Sequence, residues 1–308
     1  MTVVGRLAPS PTGRLHLGHA RSFLLAWWSA RSQGGRVVLR IDDLDADRVR
    51  EGAADGILED LRWLGLDWDG EPLLQSERAG AHAEALAGLR EAGAVYPCVC
   101  TRRELAEAAS APHGHGGEVP YPGTCREDPG RTAAAPPDQV AWRLRVPRES
   151  VRWEDLVAGP QAHSPHGEAG DFVVARKGGG ASYQLATVVD DAHQGVTEVV
   201  RGDDLLPSAA RQRLVAGALG LPSPAQAHVP LVLDHQGARL AKRDQAITLA
   251  ELRAGGMDPR RVCRWAARSA GLTETEQPRP AKFWADRPIL NTMQRDPVRL
   301  PPSPADDL

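Results

Sequence analysis

The chain has little net charge, few cysteines and only short apolar runs. Its 308 residues carry a formal net charge of −3, which excludes the global basic field that attracts nucleic acid non-specifically. The longest apolar run, Phe23 to Trp28, is far too short to cross a bilayer. The first residues lack the basic start and long apolar stretch of a secretion signal, so we expect a cytoplasmic protein without membrane contact.

The four cysteines favour free thiols or metal ligands over a disulfide framework, because no secretion signal is present. Cys98-Val-Cys100 offers two sulfurs to one ion, and Cys125 adds a third beyond a glycine- and proline-rich stretch with few apolar residues. Three sulfurs and one further donor complete a tetrahedron around zinc. By chemistry, His113 or His115 could supply that donor. The alternative is two buried thiols and one unrelated cysteine, and Cys263 is assigned to the core.

Strands and helices alternate in the first third of the chain. Val3 to Leu7 and Val37 to Ile41 are predicted strands, and each is followed by a predicted helix, over about 18–33 and 51–64. The first of these helices is predicted to end at Gly34-Gly35. This order with short links is typical of a parallel sheet covered by helices. Ligands in such sheets bind beyond the carboxyl ends of the strands, where His16 and Asp42 fall.

Residues 110–137 have no periodicity, which predicts an inserted module within one sheet. Alternation returns at Val140 to Val146, and a strand-like apolar pattern follows at Phe172 to Asp191, Thr197 to Arg201 and His228 to Leu233. A helix is predicted from Ser208 to Gly220, and Thr248-x-x-Glu251 predicts a capping box. Asp258 and Pro259 predict the N-cap and first residue of another helix, which reaches Gly271.

The N-terminal string Arg6-Leu-Ala-Pro-Ser-Pro-Thr-Gly-Arg-Leu-His16-Leu-Gly-His19 places two histidines at the start of the first predicted helix. Free N–H groups and the helix dipole favour a phosphate there. Two imidazoles at that position can donate hydrogen bonds to phosphate oxygens. The sequence therefore predicts a phosphate site at the mouth of this helix.

This string resembles the HIGH signature of class I aminoacyl-tRNA synthetases, in the form used by glutamyl and glutaminyl enzymes. The resemblance implies that His16, Gly18 and His19 bind ATP and that both histidines stabilise the transition state of adenylation. A second string, Arg239-Leu-Ala-Lys242-Arg243, resembles the KMSKS loop, with arginine for the first lysine and alanine for the serine. This second resemblance implies that Lys242 is catalytic and contacts ATP, which binds as its Mg²⁺ complex.

Three further strings are similar to glutamyl members of the family: Arg40-Ile-Asp-Asp-Leu-Asp, Ser182-Tyr-Gln-Leu-Ala and Val199-Val-Arg-Gly-Asp-Asp. The resemblance implies an L-glutamate site lined by Arg6, Ala8, Ser10, Tyr183 and Arg201. Asp42 stands where these enzymes have a glutamate that holds the α-amino group of the substrate. A guanidinium can hold the side-chain carboxylate of the substrate bidentately.

The cysteine pattern and the short chain after Arg243 resemble the truncated glutamyl-Q branch of the family. That branch implies Tyr121 as the fourth zinc ligand with Cys98, Cys100 and Cys125, and one structural Zn²⁺. It implies tRNA-independent glutamate activation and transfer to the queuosine base at the wobble position of tRNA-Asp. A monomer is expected.

The expected fold is α/β, a Rossmann-like parallel sheet with an inserted zinc-containing module and a C-terminal helical segment. The expected divisions are 1–95 for the first half of the catalytic core and 96–170 for the zinc module. The second half, with the KMSKS-like loop, is expected over 171–250, and a helical stem-contact-like segment over 251–308, with no anticodon-binding domain.

Three other functions are compatible with parts of the pattern. A partial glutamyl-tRNA synthetase would charge a tRNA 3′ end. A small-molecule ligase of the same superfamily, similar to pantothenate synthetase, would lack the zinc pattern and the strings around Tyr183 and Arg201. A non-catalytic zinc- and RNA-binding relative would explain Asp42 and the altered loop, and it would show no pyrophosphate exchange.

Overall fold

The structure is a computed structural model that describes residues 2–101, 103–105, 120–238, 240, 247–272, 277–293, 295–301 and 308. Its strands are β1 (Val4–Leu7), β2 (Arg36–Ile41), β3 (Leu73–Leu74), β4 (Val95–Cys98), β5 (Ala141–Leu144), β6 (Val151–Asp155), β7 (Gly159–His163), β8 (Val173–Ala175), β9 (Glu198–Gly202), β10 (Ala225–Val229), β11 (Val232–Leu233) and β12 (Val298–Arg299). Its α-helices are α1 (Leu17–Ser32), α2 (Ala53–Trp63), α3 (Ala79–Glu91), α4 (Thr124–Glu127), α5 (Pro165–Glu168), α6 (Tyr183–His193), α7 (Leu206–Leu219), α8 (Leu249–Ala254) and α9 (Pro259–Ser269).

Parallel strands form the centre of the fold, which confirms the predicted α/β class. β1, β2 and β3 make one parallel sheet, and β9 and β10 make another. The two sheets meet at β1 and β9, where the Thr197 N–H donates to the Val4 carbonyl at 2.9 Å. The Val4 N–H in turn donates to the Thr197 hydroxyl at 2.9 Å. The carboxyl ends of β1 and β9 lie at the same end of this core, because Ala8 and Gly202 line one cavity.

Helix α1 packs directly on this parallel core. Leu24, Leu25 and Trp28 on the helix are fully buried, and every residue of β2 after Arg36 is buried. Gly5 allows the close approach of β1, because a Cβ there would lie 2.8 Å from the Cβ of Ala30. The predicted end of the helix at a glycine is confirmed, since Gly34 has a φ of +65°.

An antiparallel sheet of β4, β5 and β8 packs beside this core. Leu144, Val146 and Phe172 join Val95 and residues of α6 in a second apolar cluster. The hairpin of β6 and β7 lies apart from that sheet, and its Leu156 N–H donates to the Gln226 carbonyl of β10 at 2.8 Å. The division of the chain into four segments stays a prediction.

The strand-like pattern predicted from Phe172 to Asp191 is wrong over its second half. Only β8 is a strand, and Tyr183 to His193 forms helix α6. Gly178 and Gly179, with φ of +84° and +90°, turn the chain away from the sheet. The apolar residues that follow are buried with helical rather than alternating spacing: Leu185, Ala186, Val188.

The strand predicted from His228 to Leu233 is interrupted in the structure. β10 ends at Val229, and β11 begins at Val232 and pairs with β12 rather than with β9. Pro230 explains the break, because proline has no N–H to donate to a neighbouring strand.

The late helix begins as predicted. The Asp258 side chain accepts the Arg260 N–H at 3.0 Å, and Pro259 is the first residue of α9. Cys263 is fully buried in the main apolar cluster, as predicted. Buried Arg21 joins α1 to this helix by donating to the Ser269 hydroxyl at 2.7 Å. Across the described residues, no helix combines the length and apolar character needed to span a membrane.

Candidate active site

A cavity of about 380 Å³ lies where the carboxyl ends of β1 and β9 meet the start of α1. This is where ligands bind in open parallel sheets. Eight of the residues predicted for ATP or glutamate line it: Arg6, Ala8, Ser10, His16, Gly18, His19, Tyr183 and Arg201. The structure therefore brings together residues that are up to about two hundred positions apart in the chain.

His16 and His19 form a reciprocal cap at the start of α1. The Nδ1 atom of His16 accepts the Gly18 N–H at 3.1 Å, and the Nδ1 atom of His19 accepts the His16 N–H at 3.3 Å. The two rings stack with centroids 3.8 Å apart. Gly18 makes room for this arrangement, because a Cβ there would lie 3.0 Å from the His16 ring.

This cap fixes which nitrogen of each ring carries a proton. Burial lowers the pKa of His16 to about 4. Burial and then the charge of His16 lower the pKa of His19 to about 3, so both rings are neutral at neutral pH. Because each Nδ1 accepts a hydrogen bond, the proton of each neutral ring lies on Nε2. The Nε2 atom of His16 is buried without a partner in the described residues, which makes it a donor ready for a ligand.

Arg201, at the end of β9, supplies a buried positive charge to the cavity. Its side chain is 6% exposed, and burial lowers the pKa of the guanidinium. The Nε atom donates to His228 at 3.0 Å, and one terminal nitrogen donates to Gln212 at 2.9 Å. The other terminal nitrogen has no hydrogen-bond partner among the described residues.

Arg6 and Arg40 share one carboxylate of α6. The Nε atom of Arg6 lies 3.1 Å from Asp191, and a terminal nitrogen of Arg40 lies 2.6 Å from the same oxygen. Arg40 also donates to Asp42 at 2.7 Å. Asp42 therefore faces Arg40 and does not line the cavity. Burial raises the pKa of Asp42, while the charge of Arg40 opposes that increase.

The predicted ATP loop falls largely outside the described residues. Lys242, with Arg239 and Arg243, lies outside them, whereas Leu240 is described and lines the cavity. The chain after the loop is fixed next to the histidines, because Thr248 forms an antiparallel bridge with His16. The predicted capping box of Thr248 and Glu251 at the start of α8 is confirmed.

Three buried thiols form a second cluster, at the end of β4. The sulfurs of Cys98, Cys100 and Cys125 lie within 4.8 Å of one another. The Tyr121 hydroxyl lies 3.6 Å from the sulfur of Cys98 and 3.7 Å from that of Cys100. Arg143 donates to the Cys98 sulfur at 3.2 Å and covers the Tyr121 ring. His113 and His115, the other candidate ligands, lie outside the described residues.

Several polar residues that support the cavity were not identified from the sequence. Asp155, Asp191, Gln212 and His228 are buried and contact the arginines of the site directly or through one another. The only sequence feature that could have identified them is a charged or imidazole side chain within a predicted apolar strand or helix. That feature indicates burial, but it does not indicate the partner.

The amino-acid sequence is similar to those of known proteins over most of its length. A family model described as tRNA synthetases class I (E and Q), catalytic domain, matches residues 2–278. The glutamyl-Q tRNA(Asp) synthetase of Symbiobacterium thermophilum is 48% identical over 96% of this chain and 95% of its own length. The protein of the same name from Nocardia farcinica is 50% identical over 97% and 91%.

Solved structures show the same similarity in three dimensions. A glutamate tRNA ligase from Elizabethkingia meningosepticum, in complex with its amino acid, has a TM-score of 0.84 and is 25% identical. The match covers 97% of this chain and 67% of that one. A glutamate-tRNA synthetase from Elizabethkingia anophelis has a TM-score of 0.85 over 100% of this chain and 69% of its own.

Proposed function

The chain belongs to the class I tRNA synthetases of the E and Q type, and within them to the family of glutamyl-Q tRNA(Asp) synthetases. It is a ligase. From that premise we propose that it activates L-glutamate with ATP, without tRNA, and transfers it to the queuosine base of tRNA-Asp. One observation supports the activation step: two neutral histidines and a buried arginine line the same cavity, and one terminal nitrogen of that arginine has no hydrogen-bond partner among the described residues.

The first step forms glutamyl-adenylate. An oxygen of the substrate α-carboxylate attacks the α-phosphorus of ATP, a P–O bond forms, and pyrophosphate leaves with the electrons of the bond that breaks. No general base is required, because a carboxylate is already ionised at neutral pH. The chain therefore contributes position and charge stabilisation. The Nε2–H groups of His16 and His19 donate to the phosphate oxygens on which negative charge develops.

Selection of glutamate rests on Arg201 and its neighbours. We assign the unpaired nitrogen of Arg201 to the side-chain carboxylate of the substrate, because a buried guanidinium fits an anion of that shape. Arg6, Ala8, Ser10 and Tyr183 line the same cavity and complete this pocket. Asp42 remains the proposed partner of the α-ammonium group, which it reaches only if it shares or leaves its contact with Arg40.

The phosphates of Mg-ATP are assigned to the start of α1 and to the loop of Lys242. The Gly18 N–H is already used by His16, so the side-chain donors and not this amide are free for the nucleotide. Lys242 follows the charge as it moves from the α-phosphate to pyrophosphate. This role is supported by described residues on either side of Lys242, since Leu240 lines the cavity and Thr248 pairs with His16.

The acceptor is proposed to be queuosine at the wobble position of tRNA-Asp. A nucleophile on that base attacks the carbonyl carbon of the adenylate, and AMP leaves. The names of the similar curated proteins support this acceptor. Unpaired bases of an RNA loop are also the usual target of specific recognition. The monomeric state and the cytoplasmic location stay predictions.

The thiol cluster is proposed to hold one structural zinc ion. A tetrahedral site with Zn–S bonds of about 2.3 Å has sulfurs about 3.8 Å apart and a ligand oxygen about 3.6 Å from each sulfur. The Cys100 and Cys125 sulfurs are 3.5 Å apart, and the Tyr121 oxygen lies 3.6 and 3.7 Å from two sulfurs. The donor set therefore fits zinc, with Arg143 balancing the excess negative charge.

Replacing Cys125 with serine is expected to remove the bound metal. We expect about one zinc ion per wild-type chain and almost none in Cys125→Ser, because a structural site requires all four donors. Elemental analysis measures the zinc content. Thermal unfolding with and without chelator measures how far the bound ion stabilises the fold. Cys263→Ala is the matched control, since its thiol is buried elsewhere and its zinc content should equal that of the wild type. Wild-type protein without zinc would contradict the assignment.

Pyrophosphate exchange with a panel of amino acids tests the proposed activation step. We expect exchange with glutamate in the absence of tRNA, and rates at least about a hundredfold lower with glutamine and aspartate. Exchange that depends strictly on tRNA would favour a partial glutamyl-tRNA synthetase that charges a 3′ end. No exchange with or without tRNA would favour a non-catalytic RNA-binding relative.

A further inference from the structure

A buried chain of polar groups leads from the β6–β7 hairpin to Arg201. Asp155 is 1% exposed, His228 is 1% exposed and Arg201 is 6% exposed. The Nδ1 atom of His228 lies 2.5 Å from the Asp155 carboxylate, and its Nε2 atom lies 3.0 Å from the Nε atom of Arg201. Burial of three such groups is costly unless each is hydrogen-bonded, so their arrangement requires an explanation.

The direction of each hydrogen bond follows from what the partners can donate. A guanidinium only donates, so the Nε2 atom of His228 must accept from Arg201. A carboxylate only accepts, so the Nδ1 atom of His228 must carry the proton and donate to Asp155. Asp155 therefore selects the one neutral tautomer of His228 that can hold Arg201.

Gln212 of α7 fixes a second nitrogen of the same guanidinium. Its side-chain oxygen accepts from one terminal nitrogen of Arg201 at 2.9 Å. With the Nε atom and this nitrogen both engaged, the remaining terminal nitrogen is left without a partner among the described residues. Arg201 and Tyr183, which interacts with the guanidinium, both line the cavity. The unpaired nitrogen is therefore the one left for a ligand in this cavity.

The His228 side chain is not needed to attach the hairpin. Asp155 accepts the backbone N–H groups of Val157 and Ala158, and it also accepts that of His228 itself, at 2.9 Å. Leu156 is bonded to the backbone of β10 as well. These contacts involve backbone groups and not the imidazole, so they remain available when the side chain at position 228 is changed.

We propose that Asp155, His228 and Gln212 are positioning residues that hold Arg201 with one free edge toward the side-chain carboxylate of the amino-acid substrate. This inference rests on the proposed function, because it assumes that Arg201 binds the side-chain carboxylate of glutamate. A guanidinium that is already oriented loses less conformational freedom when the substrate binds. The three residues therefore act on substrate affinity and selectivity rather than on the phosphate chemistry.

Two substitutions of His228 separate this role from a merely structural one. Glutamine places its side-chain oxygen near the position of Nε2 and can still accept from Arg201. Asparagine reaches only the position of Nδ1, so it keeps the contact with Asp155 and loses the contact with Arg201. In pyrophosphate exchange, we expect His228→Asn to raise the KM for glutamate roughly ten- to a hundredfold. We expect His228→Gln to stay within about threefold of the wild type.

The other kinetic constants distinguish positioning from general damage. The proposal requires that kcat and the KM for ATP of His228→Asn stay within about threefold of the wild-type values. An unchanged KM for glutamate would overturn the proposal. A fall in kcat and a rise in the KM for ATP as large as the rise in the KM for glutamate would also overturn it. If His228→Asn does not fold, Gln212→Met provides the same test. It removes the other acceptor at similar volume and should raise the KM for glutamate roughly three- to tenfold.

A spectroscopic measurement tests the inference even in the absence of exchange. In ¹⁵N-histidine-labelled wild-type protein, the His228 ring, identified by its loss in His228→Gln, should be neutral and protonated on Nδ1. Protonation on Nε2 would overturn the proposal whatever the enzyme activates. A wild type with this tautomer but no glutamate exchange would contradict the proposed function alone.

Discussion

Replacing Arg201 with methionine is expected to lower kcat/KM for glutamate about a thousandfold in pyrophosphate exchange. Methionine keeps much of the volume and loses the charge. The substrate carboxylate would then lose its assigned guanidinium, and Arg6, another cation of the lining, is already paired with Asp191. Breaking a buried ion pair from one side costs about 3–5 kcal/mol, which corresponds to this factor. The loss should appear mainly in the KM for glutamate, and the KM for ATP should change little.

A control and a stability measurement complete this test. Arg152→Met, at an exposed position of β6, removes the same charge away from the cavity and should leave the KM for glutamate unchanged. Arg201→Met also leaves the acceptors of His228 and Gln212 unpaired, so its free energy of unfolding should fall by about 1–3 kcal/mol. A folded Arg201→Met protein with the wild-type KM for glutamate would refute the assignment of Arg201 to the substrate.

Replacing His16 with asparagine is expected to lower kcat about a hundred- to a thousandfold without loss of stability. Asparagine is among the best N-cap residues, so its side-chain oxygen can still accept the Gly18 N–H. It has no group at the position of Nε2, and the donor to the phosphate oxygens is lost. Removing one such donor from a transition state typically costs about 2.7–4 kcal/mol.

His16→Leu is the matched variant, because it removes both the cap and the donor. We expect the same loss of kcat, together with a free energy of unfolding lower by about 1 kcal/mol. Rapid-quench kinetics and urea unfolding measure the two effects separately. An asparagine variant with wild-type kcat would show that His16 is a structural cap and not a catalytic residue.

The sequence predicted best those features that depend on neighbouring residues. The caps at Asp258 and Thr248 and the glycine that ends α1 involve residues a few positions apart, and the structure confirms all three. The parallel strands β1, β2 and β9 were also predicted, because a fully buried strand has a continuous apolar run. The cavity at their carboxyl ends follows from the topology.

Features that depend on tertiary contacts were missed. α6 was predicted as a continuation of a strand, since short apolar runs fit both periodicities. His228 and Asp155 are 73 positions apart, and no local pattern indicates that a hairpin outside the parallel sheets contacts Arg201 through His228. The capping role of His16 and His19 was also missed. The sequence predicted that these histidines contact a phosphate, but it did not indicate the backbone contacts of Nδ1 that place the proton of each ring on Nε2.

The choice of acceptor is tested most directly with tRNA-Asp that lacks its 3′-terminal adenosine. We predict that the protein transfers labelled glutamate to this RNA when queuosine is at the wobble position, and not when guanosine is there. Charging of the intact guanosine-containing RNA, with loss of all transfer when the terminal adenosine is removed, would contradict the proposed function. It would assign the chain to 3′-end aminoacylation.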